Sequence, residues 1–202
     1  MANPVRSRMK LAILFLLLLP IILALFWIFL PKFFEQPNYH VVKRVGSFEI
    51  RSYPKMLVAS VKSEGQRDVA LRHSFPFLVR YISGKQREGP KISMTVPVMQ
   101  TKAGQKNTWN IYFFMPIRYT YESIPKPQID GVKILELSRR KMAALRFRGL
   151  WDEPIIKMHE DRLKNWMKSE GLSHNENIVY AFYNDPSTPG LLRHNEILIE
   201  LN

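Results

Sequence analysis

Residues 48–62, Phe48-Glu49-Ile50-Arg51-Ser52-Tyr53-Pro54-Lys55-Met56-Leu57-Val58-Ala59-Ser60-Val61-Lys62, decide the fold. Apolar and polar side chains alternate over 48–53, Pro54 interrupts the run, and a second strand-like stretch follows over 56–62. Alternation over so short a length marks half-buried strands, because an amphipathic helix would repeat its apolar residues every three or four positions. Upstream, residues 39–45 alternate in the same way and are joined to 48–53 by a turn at Gly46-Ser47. Downstream the period changes. Over 67–83, Leu71, Phe75, Leu78 and Ile82 recur at helical spacing and form one apolar stripe, with Pro76 predicting a kink or a restart. Two further strands are predicted at 91–99 and 108–114.

The loop 116–130, with Pro125 and Pro127, divides the chain, and the same order of elements then returns. Strands are predicted at 132–138 and 141–148. A helix follows over 152–170, with Asp152 as N-cap, Pro154 in the first turn and Gly171 as its stop. Ile156, Leu163, Trp166 and Met167 make its apolar face. Strands at 178–183 and 196–201 close the pattern. Strand-strand-helix-strand-strand therefore occurs twice. The expected fold class is α+β: a distorted antiparallel β-barrel of two pseudo-twofold related halves flanked by two helices.

The N-terminus has a different character. From Leu11 to Leu30 no residue carries a charge, and twenty helical residues span about 30 Å, the thickness of a hydrocarbon core. The bulky residues Phe26, Trp27, Phe29 and Phe33 make poor cleavage-site flanks, so the segment is expected as an uncleaved transmembrane helix and not as a signal peptide. Arg6, Arg8 and Lys10 precede it, which places the N-terminus in the cytoplasm and the large domain on the exported side, the periplasm in a Gram-negative cell. The expected organisation is a basic cytoplasmic tail at 1–10, an anchor at 11–30 in contact with membrane lipid, a linker at 31–38 and one domain at 39–202.

The formal charge is +13, and removing the three positive charges before the span leaves +10 on the remainder. Such a surface suits an anionic ligand or nearby anionic head groups, whereas nucleic acid is not an expected partner on the exported side. With no cysteine in the chain, thiolate nucleophiles, thiolate metal sites and thiolate haem ligation are excluded.

Four segments together resemble the SOUL haem-binding family: 48–54 as quoted above; Lys91-Ile92-Ser93-Met94-Thr95-Val96-Pro97-Val98; Tyr183-Asn184-Asp185-Pro186-Ser187-Thr188-Pro189; and Leu192-Arg193-His194-Asn195-Glu196-Ile197. The resemblance implies a two-halved barrel and a haem held in an apolar groove beside the first helix of the domain. Carried onto Ala70-Leu71-Arg72-His73-Ser74-Phe75-Pro76-Phe77-Leu78-Val79-Arg80-Tyr81, it implies that Arg72 and Arg80 meet the propionates and that Phe75 and Val79 touch the macrocycle. Where some members carry a histidine proposed as axial ligand, this chain has Ser52, and the late loop has Thr188 and Pro189 in place of a basic residue.

Among the histidines, His159 falls on the apolar face of the second domain helix and is expected as a core residue, and His73 is expected at the surface. Neither these two nor His40, His174 and His194 have metal-site spacing. No phosphate loop, G-x-S-x-G or H-E-x-x-H motif occurs, so no enzyme is expected. Asn195-Glu196 is the most site-like polar pair, and its expected role is structural. The implied function is a non-catalytic, membrane-anchored haem or tetrapyrrole binder. The alternative is a structural or protein-interaction module that uses the same fold without haem, with partners the sequence leaves unknown.

Overall fold

The computed structural model describes residues 4–29, 33–85 and 87–202. Nine strands form one sheet: β1 (His40–Val45), β2 (Phe48–Tyr53), β3 (Met56–Glu64), β4 (Val98–Lys102), β5 (Thr108–Phe114), β6 (Val132–Leu137), β7 (Arg140–Arg148), β8 (His174–Phe182) and β9 (His194–Leu201). Two helices belong to this unit, α2 (Arg67–Ser83) and α3 (Glu153–Ser169), and α1 (Pro4–Phe29) precedes them. All pairings within the sheet are antiparallel, in the order β1-β2-β7-β9-β8-β4-β5-β3-β6.

That order carries the duplication further than the sequence does. Leaving β1 aside, β2-β7-β9-β8 mirrors β6-β3-β5-β4 about the β4–β8 pair. The first strand of each half pairs with the second strand of the other half, so β2 lies on β7 and β6 lies on β3. Exchange of this kind makes the halves interdependent.

The links then force curvature. Only Pro54 and Lys55 join β2 to β3, and only Ser138 and Arg139 join β6 to β7, yet each pair of strands is six places apart in the order. Six spacings in a flat sheet would be about 29 Å, while a two-residue link reaches about 11 Å. The sheet must therefore roll until its ends meet. Closure is nevertheless incomplete, and the expected distorted barrel is corrected to an open, curled sheet. β1 folds back on β2 and takes up the edge that closure would need. Both end strands expose charges, Lys43 and Arg44 on β1 and Lys133 and Glu136 on β6, which disfavour further pairing.

α2 packs on β3 and β5, and α3 packs on β7 and β9, all on the outer face of the curl. The principal core fills that layer, with Ala59, Ile111 and Phe113 under α2 and Ala143, Leu145 and Ile199 under α3. A second apolar cluster, including Val58, Met99, Ala144 and Leu198, faces the helix-free interior. The two helices meet at their first residues, where Arg67 Nε donates to Glu153 Oε1 at 2.6 Å. α2 runs through Pro76 without a break and ends at Gly84, whose φ of 76° is left-handed. Buried Arg87 then donates to the Tyr81 carbonyl at 2.7 Å, the same carbonyl that accepts from Gly84 N at 3.2 Å, and so reinforces the helix end. The strand expected over 91–99 shrinks to its end, because Pro97 has no N–H to give a ladder.

The transmembrane anchor expected over 11–30 is also corrected. Among the described residues, no helix is long and apolar enough to cross a membrane. The apolar run does not stand as a helix of its own. α1 begins at Pro4, so Arg6, Arg8 and Lys10 fall within its first two turns, and Pro20 removes a backbone donor inside the remainder. With the span go the expectations built on it: the cytoplasmic tail, the contact with membrane lipid through this helix, and the export of the domain to the periplasm. Residues 30–32 of the expected span and linker lie outside the described residues.

Candidate functional site

The four residues carried over by resemblance all lie on α2, and the helix divides them. Arg72, Phe75 and Val79 follow one line along its outer side, whereas Arg80 stands about 80° round from Arg72 and about 12 Å along the axis. Arg72 pairs with Asp68 one turn earlier at 2.9 Å, and both side chains are largely exposed. Phe75 is 37% exposed and meets Phe113 edge-on, with ring centroids 5.4 Å apart. Val79 is half-buried against the principal core.

Arg80 lies over the Phe77 ring, 4.7 Å from its centroid, at the edge of an open recess completed by Gln128, Ile129 and Asp130. Its Nε is buried and has no hydrogen-bond partner among the described residues. Phe77 was missed by the sequence reading because it falls off the apolar stripe, and it is as exposed as Phe75. Its signal was available: two phenylalanines flank Pro76, and one apolar stripe can bury only one of them.

The helix-free interior has a different chemistry. A cavity of about 390 Å³ lies inside the curl, with walls from both halves, among them Met56, Met99 and Met142. Burial pushes the Tyr112 phenol up, while a hydrogen bond with Asn110 and the charge of Arg140, both of which also line the cavity, act the other way. Next to it lies a buried ionic network. Arg51 donates to both oxygens of Glu196, at 2.6 and 3.0 Å, and to Glu49 at 2.6 Å. Tyr183 and His194 also hydrogen-bond Glu196, each at 3.0 Å. Burial alone would raise the Glu196 carboxyl, but hydrogen bonds from His194 and Arg51 outweigh it and hold the group well below the usual carboxylate range. Tyr183 is raised well above the ordinary tyrosine value, first by burial and then by Glu196.

Every member of this network is engaged by another, an arrangement of fixed charges and not of an acid-base pair facing a cleft. Asn195 donates from Nδ2 to the Gly149 carbonyl at 3.0 Å and so ties β9 to the loop after β7. His159 is a core residue, stacked on Phe147 with centroids 4.0 Å apart. His73 is exposed. Among the described residues, no three His, Cys, Asp or Glu side chains converge as a metal site.

Comparison with known proteins agrees with the four segments. The chain is 24% identical over 135 residues to heme-binding protein 1 of Mus musculus, covering 64% of this chain and 70% of that protein. It is 28% identical over 165 residues to heme-binding protein 2 of Homo sapiens, covering 78% and 80%. The C-terminal domain of EcmrR shares the fold, with a TM-score of 0.59 at 10% identity over 81% of this chain and 98% of that one. The family described as SOUL heme-binding protein matches residues 34–200, and the chain belongs to that family.

Proposed function

We propose that this protein binds haem or a related tetrapyrrole, without catalysis, on the outer side of α2. Arg72 and Arg80 meet the propionates, and Phe75 and Val79 lie against the macrocycle. The observation that carries this reading is Arg80: a guanidinium spread on an exposed aromatic ring, with a buried Nε that has no partner among the described residues. An unpartnered buried donor is costly, and a ligand carboxylate would satisfy it. The matched family is described by what it binds and not by a reaction, and both curated relatives are named as heme-binding proteins. Ser52 leaves the iron without the axial histidine that the family resemblance would supply, so apolar contact and propionate pairing hold the ligand.

One observation favours the alternative, a module that uses the fold without haem: Arg72 is already paired with Asp68. Titration of the full chain with haemin separates the two. A saturable shift of the Soret band is expected. A spectrum that changes only in proportion to added haemin would overturn the proposal and leave the interaction module.

A further inference from the structure

The cavity inside the curled sheet lies on the opposite face from α2 and is not used by the reading above. Its position follows from the fold. The links at Pro54-Lys55 and Ser138-Arg139 bring Tyr53, Met56, Leu137 and Arg140 together as one wall. The segment before β1 supplies another, through Pro37 and Tyr39. That segment is pinned by Glu35, whose carbonyl accepts from Val96 N at 3.0 Å and whose Oε1 accepts from Ile117 N at 2.6 Å.

The lining selects a kind of ligand. Thioethers of Met56, Met99 and Met142 and the rings of Tyr39 and Tyr112 make a soft, polarizable surface suited to a flat apolar body. The ionic groups at the same cavity are unequal. Glu200 accepts from Asn177 Nδ2 at 2.9 Å, and Asn177 Oδ1 in turn accepts from Thr101 Oγ1 at 2.8 Å, so this acid is already engaged. Arg140 shares the inward phase of β7 with Met142 and donates from Nε to the Ser138 carbonyl at 3.2 Å, and no ion pair engages it among the described residues. Glu200 keeps its charge but is held by Asn177, and Arg140 is a cavity cation left without a carboxylate partner among the described residues. A volume near 390 Å³ is at the small end of the roughly 300–1,000 Å³ typical of pockets for one small molecule.

We infer that this cavity is a second binding site, which takes a small, flat apolar molecule with one carboxylate, its head at Arg140 and its body against the three methionines.

The test uses the full chain with 2-naphthoate and its uncharged counterpart 2-naphthalenemethanol, measured by calorimetry. The carboxylate is expected to bind about ten-fold more tightly than the alcohol, the scale of a charge-assisted contact. The variant R140Q should erase that preference while leaving the alcohol unchanged. Ala181→Leu, which fills the cavity floor, should abolish both. Arg72→Ala and saturating haemin should change neither, which separates this site from the one on α2. Equal binding of acid and alcohol, no binding of either, an undisturbed preference in R140Q, or displacement of 2-naphthoate by haemin would each overturn the inference.

Discussion

Arg51 and Glu196, 145 residues apart in the chain, form a two-pronged ion pair that is shut off from solvent on both sides, with Nη1 to Oε2 at 2.6 Å and Nη2 to Oε1 at 3.0 Å. Arg51 belongs to β2 of the first half and Glu196 to β9 of the second, with β7 between them. The pair therefore spans the same exchange that places β2 beside β7. Burial would depress the Arg51 guanidinium, but hydrogen bonding and charge from Glu196 more than reverse this, so both groups stay ionised in the interior. A pair of this kind gives little net stability over an apolar replacement, yet it is expensive to break by removing one partner.

Glu196→Gln should thus destabilise the protein by up to about 3 kcal/mol, because it removes the two-pronged partner of Arg51 and leaves Glu49 alone against that buried cation. Adding Arg51→Met should recover part of that loss. Urea unfolding of both single variants and the double variant measures the coupling. Strictly additive costs would mean that the pair does not act as a unit. In the parent, the stability contributed by Glu196 is fully present above the ordinary carboxylate value of about 4.3. It should be lost as pH falls from there toward the depressed folded value, and E196Q should lack that acid-dependent loss.

His159 offers a separate pH test. Burial, with help from Arg162, holds its imidazole below the ordinary value. Arg162 only donates, so Nδ1 accepts its hydrogen bond at 3.2 Å and the ring proton sits on Nε2. A histidine with a lowered folded pKa contributes stability above its unfolded value, about 6.5, and loses it as pH falls through that value. The unfolding free energy of the parent should decline between about pH 7 and pH 5 more steeply than that of His159→Phe. Parallel curves would show that His159 does not titrate with unfolding.

What could be read from the sequence was what local chemistry decides. The strands over Phe48–Tyr53 and Thr108–Phe114 and the helix over Arg67–Ser83 follow from periodicity, and the Asp152 cap follows from its place before Glu153-Pro154. The strand order was not legible, because the pairing of β2 with β7 depends on contacts some ninety residues apart, and no local pattern records them. Arg51 and Glu196 left a fainter trace. Each occupies the inward phase of its strand, in step with Tyr53 and Leu198, where a lone charge would be untenable and a partner is required. The apolar N-terminal run misled for the opposite reason: its composition argued for a separate span, whereas α1 includes the cations before it.

Asp152 gives a prediction of known scale. Its side chain accepts from Ile155 N at 3.1 Å and satisfies one of the free donors at the start of α3. Asp152→Ala should cost about 1 kcal/mol, and Asp152→Asn much less. Thermal unfolding should show a fall of about 2–4 °C for the alanine variant. No change in midpoint would mean that solvent replaces the cap without loss.

The α2 site makes unequal demands on its two arginines. Arg72 already has Asp68, whereas Arg80 has a buried Nε with no partner among the described residues. If both meet propionates, each charge-assisted contact contributes about 1.5–3 kcal/mol. Arg80→Ala should then weaken haemin by ten-fold or more, and Arg72→Ala by less. Asp68→Ala should tighten it slightly by releasing Arg72. Val79→Asp should do at least as much damage as Arg80→Ala, since it sets a carboxylate against an apolar ring system and near its propionates. Phe77→Ala should weaken binding by removing the surface on which Arg80 rests. Metal-free protoporphyrin should bind within a few-fold of haemin, because Ser52 supplies no imidazole to the iron. His159→Phe should leave the haemin affinity unchanged. Soret titration of this set decides the matter: if the parent binds haemin while R80A, V79D and F77A bind it equally well, the outer face of α2 is not the site.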